Sequence, residues 1–190
     1  MGEQSKQTKL FGEPEPPVLV KLELLRAQAL AARIEALVKP YCDRLQLVGS
    51  IRRQKLMVGD IDFVAVATDT NWKKIGQVFK KSQLICAGNA VIKLKFPCEN
   101  KLFQCDFYRA TEETFGIHTI IRTGSAEHNM WLAAHAISKG MRLKYSQGLL
   151  QDETAVAGAD EKGVFEALGL ARPEPEKREI LDGKPIWLQP

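Results

Sequence analysis

The chain has 190 residues, 45% of them hydrophobic, enough to bury a real core in one compact domain or two small lobes. No stretch approaches the apolar length of a membrane span, and the first residues lack the apolar region of a signal peptide, so a soluble intracellular protein is expected. The formal charge of +4 is unevenly divided: residues 1–110 carry 18 Lys and Arg against 11 Asp and Glu, net +7, whereas residues 111–190 carry 9 against 12, net −3, so a polyanionic partner would be held mainly by the first part.

Residues 1–17 are polar, with three prolines in EPEPP, and read as a disordered leader. From Val18 to Val38 apolar residues recur at helical spacing, ended by Pro40. Lys21 at the start of this helix reads as a solvated lysine rather than a triphosphate ligand. Leu45–Val48 then reads as a strand, Gly49-Ser50 as a tight turn, Arg52, Arg53 and Lys55 as a basic loop, and Ile61–Ala67 as a second strand. Thr68 to Asn71 supply turn and N-cap residues for a helix near Trp72–Lys81, whose lysines read as a solvated face. Two further strands follow at Val91–Phe96 and Leu102–Arg109; on the second, Gln104, Asp106 and Tyr108 share a face opposite Phe103, Cys105 and Phe107.

After Ala110 the pattern changes. Thr111-Glu112-Glu113 has the look of a capping box for a helix through Phe115–Ile121. A second helix after Thr123-Gly124-Ser125 runs to Ser138, closed by Lys139-Gly140. Short strands are expected at Arg142–Tyr145 and Gly148–Leu150, and a helix at Glu161–Leu168, stopped by Gly169. The fold class is therefore α+β. The four cysteines show no paired spacing and read as reduced thiols. His128 and His135 lie two turns apart on one helix with no further ligands in evidence, and read as satisfied or solvated histidines rather than a metal site.

Chemistry concentrates at the second strand. Asp60 and Asp62, at i and i+2, project side by side, and two adjacent carboxylates repel unless a cation lies between them. A hard divalent ion with oxygen ligands is the natural occupant. Asp106, a lone acid among strand formers, needs a partner too and completes a triad of metal ligands and catalytic carboxylates, Asp60, Asp62 and Asp106. Upstream, Gly49 lets the backbone approach a phosphate, Ser50 offers a hydroxyl, and Arg53 a guanidinium fork.

The spelling GSIRR followed by VGDIDFV resembles the nucleotidyltransferase signature of the family X DNA polymerases, the polymerase beta group; TGSAEHN, SKGMRL and GVFEALGLARPEPEKRE resemble that family's later motifs. The resemblance covers roughly residues 21–179 and implies a palm with a mixed sheet over 18–110 and a small α+β thumb over 111–190. It implies that Gly49, Ser50, Arg53 and Gly59 contact a triphosphate, and that Gly124, Ser125 and Asn129 line the sugar and base pocket, with the Gly124–Ser125 peptide cis. It further implies two Mg²⁺ or Mn²⁺ ions, a dNTP and a DNA primer end as partners, and transfer to a DNA 3′-hydroxyl in repair or gap filling. Asp106 would lie nearest that hydroxyl. A monomer in the cytoplasm of a bacterium, or of viral origin, is expected, with no membrane partner.

The departures are specific. Neither the family's N-terminal lyase domain nor its helix-hairpin-helix region is expected within these residues, so lyase activity is not expected and template grip should be weaker. The aromatic pair that lies against the sugar is Ile121-Arg122 here, and the basic position two residues before the third aspartate is Gln104. Two other readings stand beside the polymerase. One is untemplated transfer to RNA, protein or a small molecule; the other is a non-catalytic nucleic-acid-binding scaffold.

Overall fold

The computed structural model describes residues 20–79, 83–98 and 101–188; the expected leader, Lys80 and Lys81 lie outside them. In chain order the first part consists of β1 (Leu22–Glu23), α1 (Leu24–Val38), a 3-10 turn at Lys39–Tyr41, β2 (Arg44–Leu47), α2 (Gly49–Arg52), β3 (Met57–Val58), β4 (Asp60–Val66), α3 (Asp69–Val78), β5 (Gln83–Ala87), β6 (Val91–Cys98) and β7 (Lys101–Ala110). The second part holds α4 (Phe115–Thr123), α5 (Ala126–Ser138), β8 (Met141–Lys144), β9 (Gly148–Gln151), β10 (Thr154–Ala157), α6 (Glu161–Ala167), β11 (Ile180–Leu181) and β12 (Lys184–Pro185). The fold is α+β.

The main sheet has the order β2-β4-β7-β6-β5. It is mixed: β4 and β7 run parallel, the other neighbours antiparallel. Alternation sorts its two faces. Ile61, Phe63 and Ala65 of β4 and Phe103, Cys105 and Phe107 of β7 point into a core closed by Ala27, Ala31 and Ile34 of α1 and Trp72 and Ile75 of α3. There Phe63 stacks on Phe107 with ring centres 5.2 Å apart. Across the other face, Val64, Val66 and Ala110 pack with Phe115 of α4 and Val48. The second part has its own apolar cluster, including Ile117, Ile120, Leu132, Leu149, Val164 and Phe165.

Several expected boundaries shift for identifiable reasons. The first helix begins at Leu24 rather than Val18, because Leu22 and Glu23 pair in register with Val58 and Met57. The turn and basic loop expected at Gly49–Lys55 is partly helical: the Arg53 N–H closes onto the Gly49 carbonyl at 3.3 Å, so Arg52 belongs to a one-turn helix. The expected capping box does not form. The Thr114 hydroxyl instead accepts from the Thr111 N–H at 3.0 Å, and α4 starts at Phe115 and runs on to Thr123. The expected cap at Thr68 forms, its side chain accepting from Asn71 N–H. Strands β5 and β10 were not apparent in the alternation; each is an edge strand held by a single neighbour.

Candidate active site

The open end of the second sheet face carries the three aspartates. In the parallel β4–β7 pair, Asp62 lies directly across from Asp106 and Asp60 across from Gln104, so register places all of them on one face. Asp60 and Asp62 are half-buried, and Asp106 is 2% exposed. Burial raises the pKa of Asp62 to about 7, with the Asp60 and Asp106 charges adding to the rise and Arg122 and Lys93 opposing it. Burial and the Asp106 charge raise that of Asp60 in the same sense. This is a carboxylate cluster short of positive charge.

Asp106 already has protein partners. Lys93 Nζ lies 2.8 Å from its Oδ2, Tyr108 O–H donates to Oδ2 at 3.1 Å, and Gln104 Nε2 donates to Oδ1 at 2.9 Å. The sequence pointed to a metal as the obvious partner for this acid, because Lys93 on another strand is invisible to spacing along β7. Burial, with Asp62 and Asp106 nearby, pushes the Tyr108 phenol up, so it stays protonated and can donate. Among the described residues no three His, Cys, Asp or Glu side chains converge closely enough to hold an ion. The donor set nevertheless suits one: three hard carboxylates on a single face, two in register, mutually unfavourable without a cation. A cation shared with Asp106 Oδ2 would have to displace Lys93.

The residues expected to contact a triphosphate lie on and just after α2 and immediately before β4. Gly49 has a φ of +70°, and a Cβ there would lie 2.4 Å from Asp62 Oδ2, so only glycine admits this approach of backbone to carboxylate. Ser50 Oγ is buried with no partner among the described residues, leaving its hydroxyl available to a ligand. Gly59 lies in the short link between β3 and β4, where an added Cβ would meet nothing within 4 Å. Arg53 is not free in this structure: its Nη1 donates to the Thr123 carbonyl, and its Nε lies 3.3 Å from Glu179 Oε1, which also meets Lys55 at 2.6 Å.

The residues expected to line a sugar and base pocket lie around the α4–α5 turn. The Gly124–Ser125 peptide is cis, and Ser125 caps α5, its side chain accepting from His128 N–H at 3.2 Å. Asn129 Nδ2 donates to the Ile121 carbonyl at 2.7 Å. The Arg122 guanidinium stands 3.6 Å above the Tyr108 ring centre, which joins it to Asp106 through Tyr108. His118 is buried edge-on to Tyr145 with its Nδ1 unpartnered among the described residues, and both side chains line a cavity. His128 packs near Phe165 and Trp187 with its buried Nε2 unpartnered among the described residues, whereas His135 stacks on Trp131 and bonds to the Leu168 carbonyl, so the two histidines meet different partners.

One group escaped the sequence reading altogether. Glu161 at the start of α6 takes both Arg52 nitrogens, at 2.8 and 2.7 Å, and Arg178 Nη1 at 2.7 Å. Arg178 is fully buried. Burial alone would raise the Glu161 carboxyl, but the Arg52 and Arg178 hydrogen bonds hold it down to about 2. Arg52 also donates to Thr123 Oγ1 at 2.8 Å, so this cluster ties α2 to the end of α4. Its members are 109 and 17 residues apart in sequence, and no local pattern announces them.

Two cavities lie elsewhere, one of about 540 Å³ near His118 and Tyr145 and another of about 460 Å³ beside Trp72 and Leu84, neither touching the aspartates. Residues 118–179 match the DNA polymerase beta thumb family. The chain is also 35% identical over 75 residues to DNA polymerase IV of Saccharomyces cerevisiae; that stretch is 40% of this chain, and the chain spans 13% of that relative's length.

Proposed function

We propose, taking the chain as a family X polymerase-like protein with a polymerase beta thumb, that it transfers nucleotides from dNTPs to a DNA 3′-hydroxyl with release of pyrophosphate, in repair or gap filling. The observation that carries this reading is the register of β4 and β7, which sets Asp62 against Asp106 with Asp60 two residues away on the same face. In this reading residues 18–110 form the catalytic palm and residues 111–190 the thumb, a division supported by the separate apolar clusters of the two parts.

Asp60, Asp62 and Asp106 would hold two Mg²⁺ or Mn²⁺ ions. Bound there, such ions lower the pKa of an attacking hydroxyl and stabilise the negative charge of the leaving pyrophosphate. The protein's own residues do the rest. Asp106 orients the primer end, its Oδ1 fixed by Gln104 and its Oδ2 by Tyr108. Ser50, with its unpartnered hydroxyl, and the helical turn from Gly49 present donors to the triphosphate. Arg53 reaches a phosphate by leaving the Thr123 carbonyl and Glu179, so nucleotide binding and the contact between the two parts are linked. Ile121, Arg122, Gly124, Ser125 and Asn129 shape the sugar and base side.

The test is addition of labelled dNTPs to a primer, with and without a template strand, in the presence of Mg²⁺. Template-dependent extension is the expected result. Extension indifferent to the template would favour untemplated transfer, and no extension with retained DNA binding would favour a scaffold.

A further inference from the structure

Lys93 faces Asp106 across the antiparallel β6–β7 pair: the two are register partners, and the ammonium lies 2.8 Å from Asp106 Oδ2. Their environments differ sharply, the Lys93 side chain being 40% exposed and that of Asp106 2%. An ammonium has three donors, and Asp106 occupies one. Asp106 also keeps Gln104 and Tyr108 when Lys93 leaves. The ion pair is therefore separable without orphaning the buried acid once a cation takes over its charge. Two residues before Asp106, on the same face, Gln104 is neutral and has its amide turned onto Asp106. β7 thus offers no cation to an anion approaching Asp106, and among the described residues Lys93 is the cation in direct contact with that carboxylate.

Resting on the proposed nucleotidyl transfer, we propose that Lys93 seats the last phosphodiester of the strand whose 3′-hydroxyl reacts, supplying from β6 the positive charge that β7 lacks at Gln104. Charge balance drives the exchange. In the free protein the three carboxylates attract the ammonium; with divalent ions held by Asp60, Asp62 and Asp106 that attraction would be neutralised and Lys93 would be free to leave Oδ2. The nearest incoming anion is the phosphodiester attached to the reacting nucleotide. Neighbouring strands lie about 4.8 Å apart, so a flexible lysine one strand away covers the offset between the 3′-hydroxyl and its own phosphate. Lys95, in register with Gln104, extends the same positive edge along β6.

The experiment uses the full chain, a fluorescent primer–template with a free 3′-hydroxyl, MgCl₂ and dNTP, comparing Lys93→Gln, Lys93→Arg and Lys93→Gln combined with Gln104→Arg. Anisotropy in Mg²⁺ without dNTP reads primer affinity, and steady-state extension reads the two KM values. Lys93→Gln is expected to raise the primer Kd and primer KM about tenfold, to leave the dNTP KM within about twofold, and to reduce the slope of log Kd against log salt by about 0.9. Lys93→Arg should keep most of the affinity, and Gln104→Arg should restore it in the Lys93→Gln background. An unchanged primer Kd in Lys93→Gln overturns the proposal. So does a change confined to kcat or to the Mg²⁺ requirement, which would mean that Lys93 only balances Asp106, and so does failure of Gln104→Arg to rescue. If the wild-type protein binds primer but never extends it, the functional reading fails while the affinity series still decides the role of Lys93.

Discussion

Asp106 is the residue on which the proposed chemistry turns most directly. Replacing it by Ala is expected to abolish transfer while nucleotide binding stays measurable, since the phosphate-side residues are on other elements; retained turnover would remove Asp106 from the catalytic group. Asp62 permits a test that needs no turnover. A ligand that binds only the folded protein stabilises it by mass action, so millimolar Mg²⁺ should raise the melting temperature of the wild type. Asp62→Asn should lose that shift, and an unchanged Mg²⁺ effect in the variant would place the ion elsewhere. On the proposed sugar side, Ile121 is shorter than an aromatic ring and its carbonyl is already tied to Asn129 at 2.7 Å, while Arg122 is drawn onto Tyr108. In that reading this pair would not crowd a 2′-hydroxyl, and a pocket that merely tolerates an added hydroxyl discriminates by about a hundredfold at most. The kcat/KM ratio of dGTP to GTP on one primer is expected within that range. A ratio above about ten thousandfold, or an Ile121→Tyr variant that leaves the ratio unchanged, would show that the backbone carbonyl sets the selection.

Between elements, the α2–α6 contact is the point of greatest electrostatic tension. Glu161 accepts from Arg52 and Arg178, and Arg178 has no access to solvent. Removing one member of a buried charge cluster leaves the others uncompensated, at a cost of about 3–5 kcal/mol. Glu161→Gln is therefore expected to lower stability by about that amount in urea unfolding at pH 7, and a loss under about 1 kcal/mol would show the cluster to be solvated. The pH dependence has a definite sign. The Glu161 carboxyl is depressed to about 2 in the folded protein, so its contribution is present above the ordinary carboxylate range near 4.5 and is lost as pH falls toward 2. His128 acts at higher pH. Burial first, then the Arg178 charge, lowers it from 6.5 to about 4, so the unfolded chain takes the proton first and stability falls as pH drops through that window. Asp62, raised to about 7, works in the opposite sense over much of that window, because the folded protein takes its proton first, so the decline that stands clear on acidification is the one below about 4.5, and Glu161→Gln should flatten it.

For the whole molecule, the uneven charge predicts how nucleic acid is held. With net +7 in residues 1–110 and net −3 beyond, binding to a primer should weaken steeply with salt, and neutralising substitutions in the first part should reduce that slope more than equivalent ones in the second. Equal effects from both parts would mean that residues 111–190 also carry phosphate contacts. Arg53 joins the scales, because it bridges to the Thr123 carbonyl and to Glu179. Arg53→Ala is expected to weaken dNTP affinity by about 1.5–3 kcal/mol through the lost charge-assisted bond, and to loosen the contact between the parts. Unchanged affinity with a lowered melting temperature would make Arg53 purely structural.

The features legible in the sequence alone are those set by local periodicity. Alternation along a strand is strictly two, so Asp60 and Asp62 had to share one face of β4, and Gln104, Asp106 and Tyr108 one face of β7 opposite Phe103, Cys105 and Phe107; that the two sets share a face was decided by the β4–β7 register. The glycine before Ser50, with its φ of +70°, and the serine cap of α5 are local backbone requirements of the same kind. What only the tertiary structure decided is which side chains from distant segments meet. Lys93 reaches Asp106 because β6 pairs with β7 in one register rather than another, and a shift of one residue would turn it to the opposite face. Glu161 meets Arg52 and Arg178, and Arg53 meets the Thr123 carbonyl, through packing between parts of the chain that share no period. Register and packing are cooperative outcomes of the whole buried surface, and so the partners of the charged residues stayed hidden until the chain was folded.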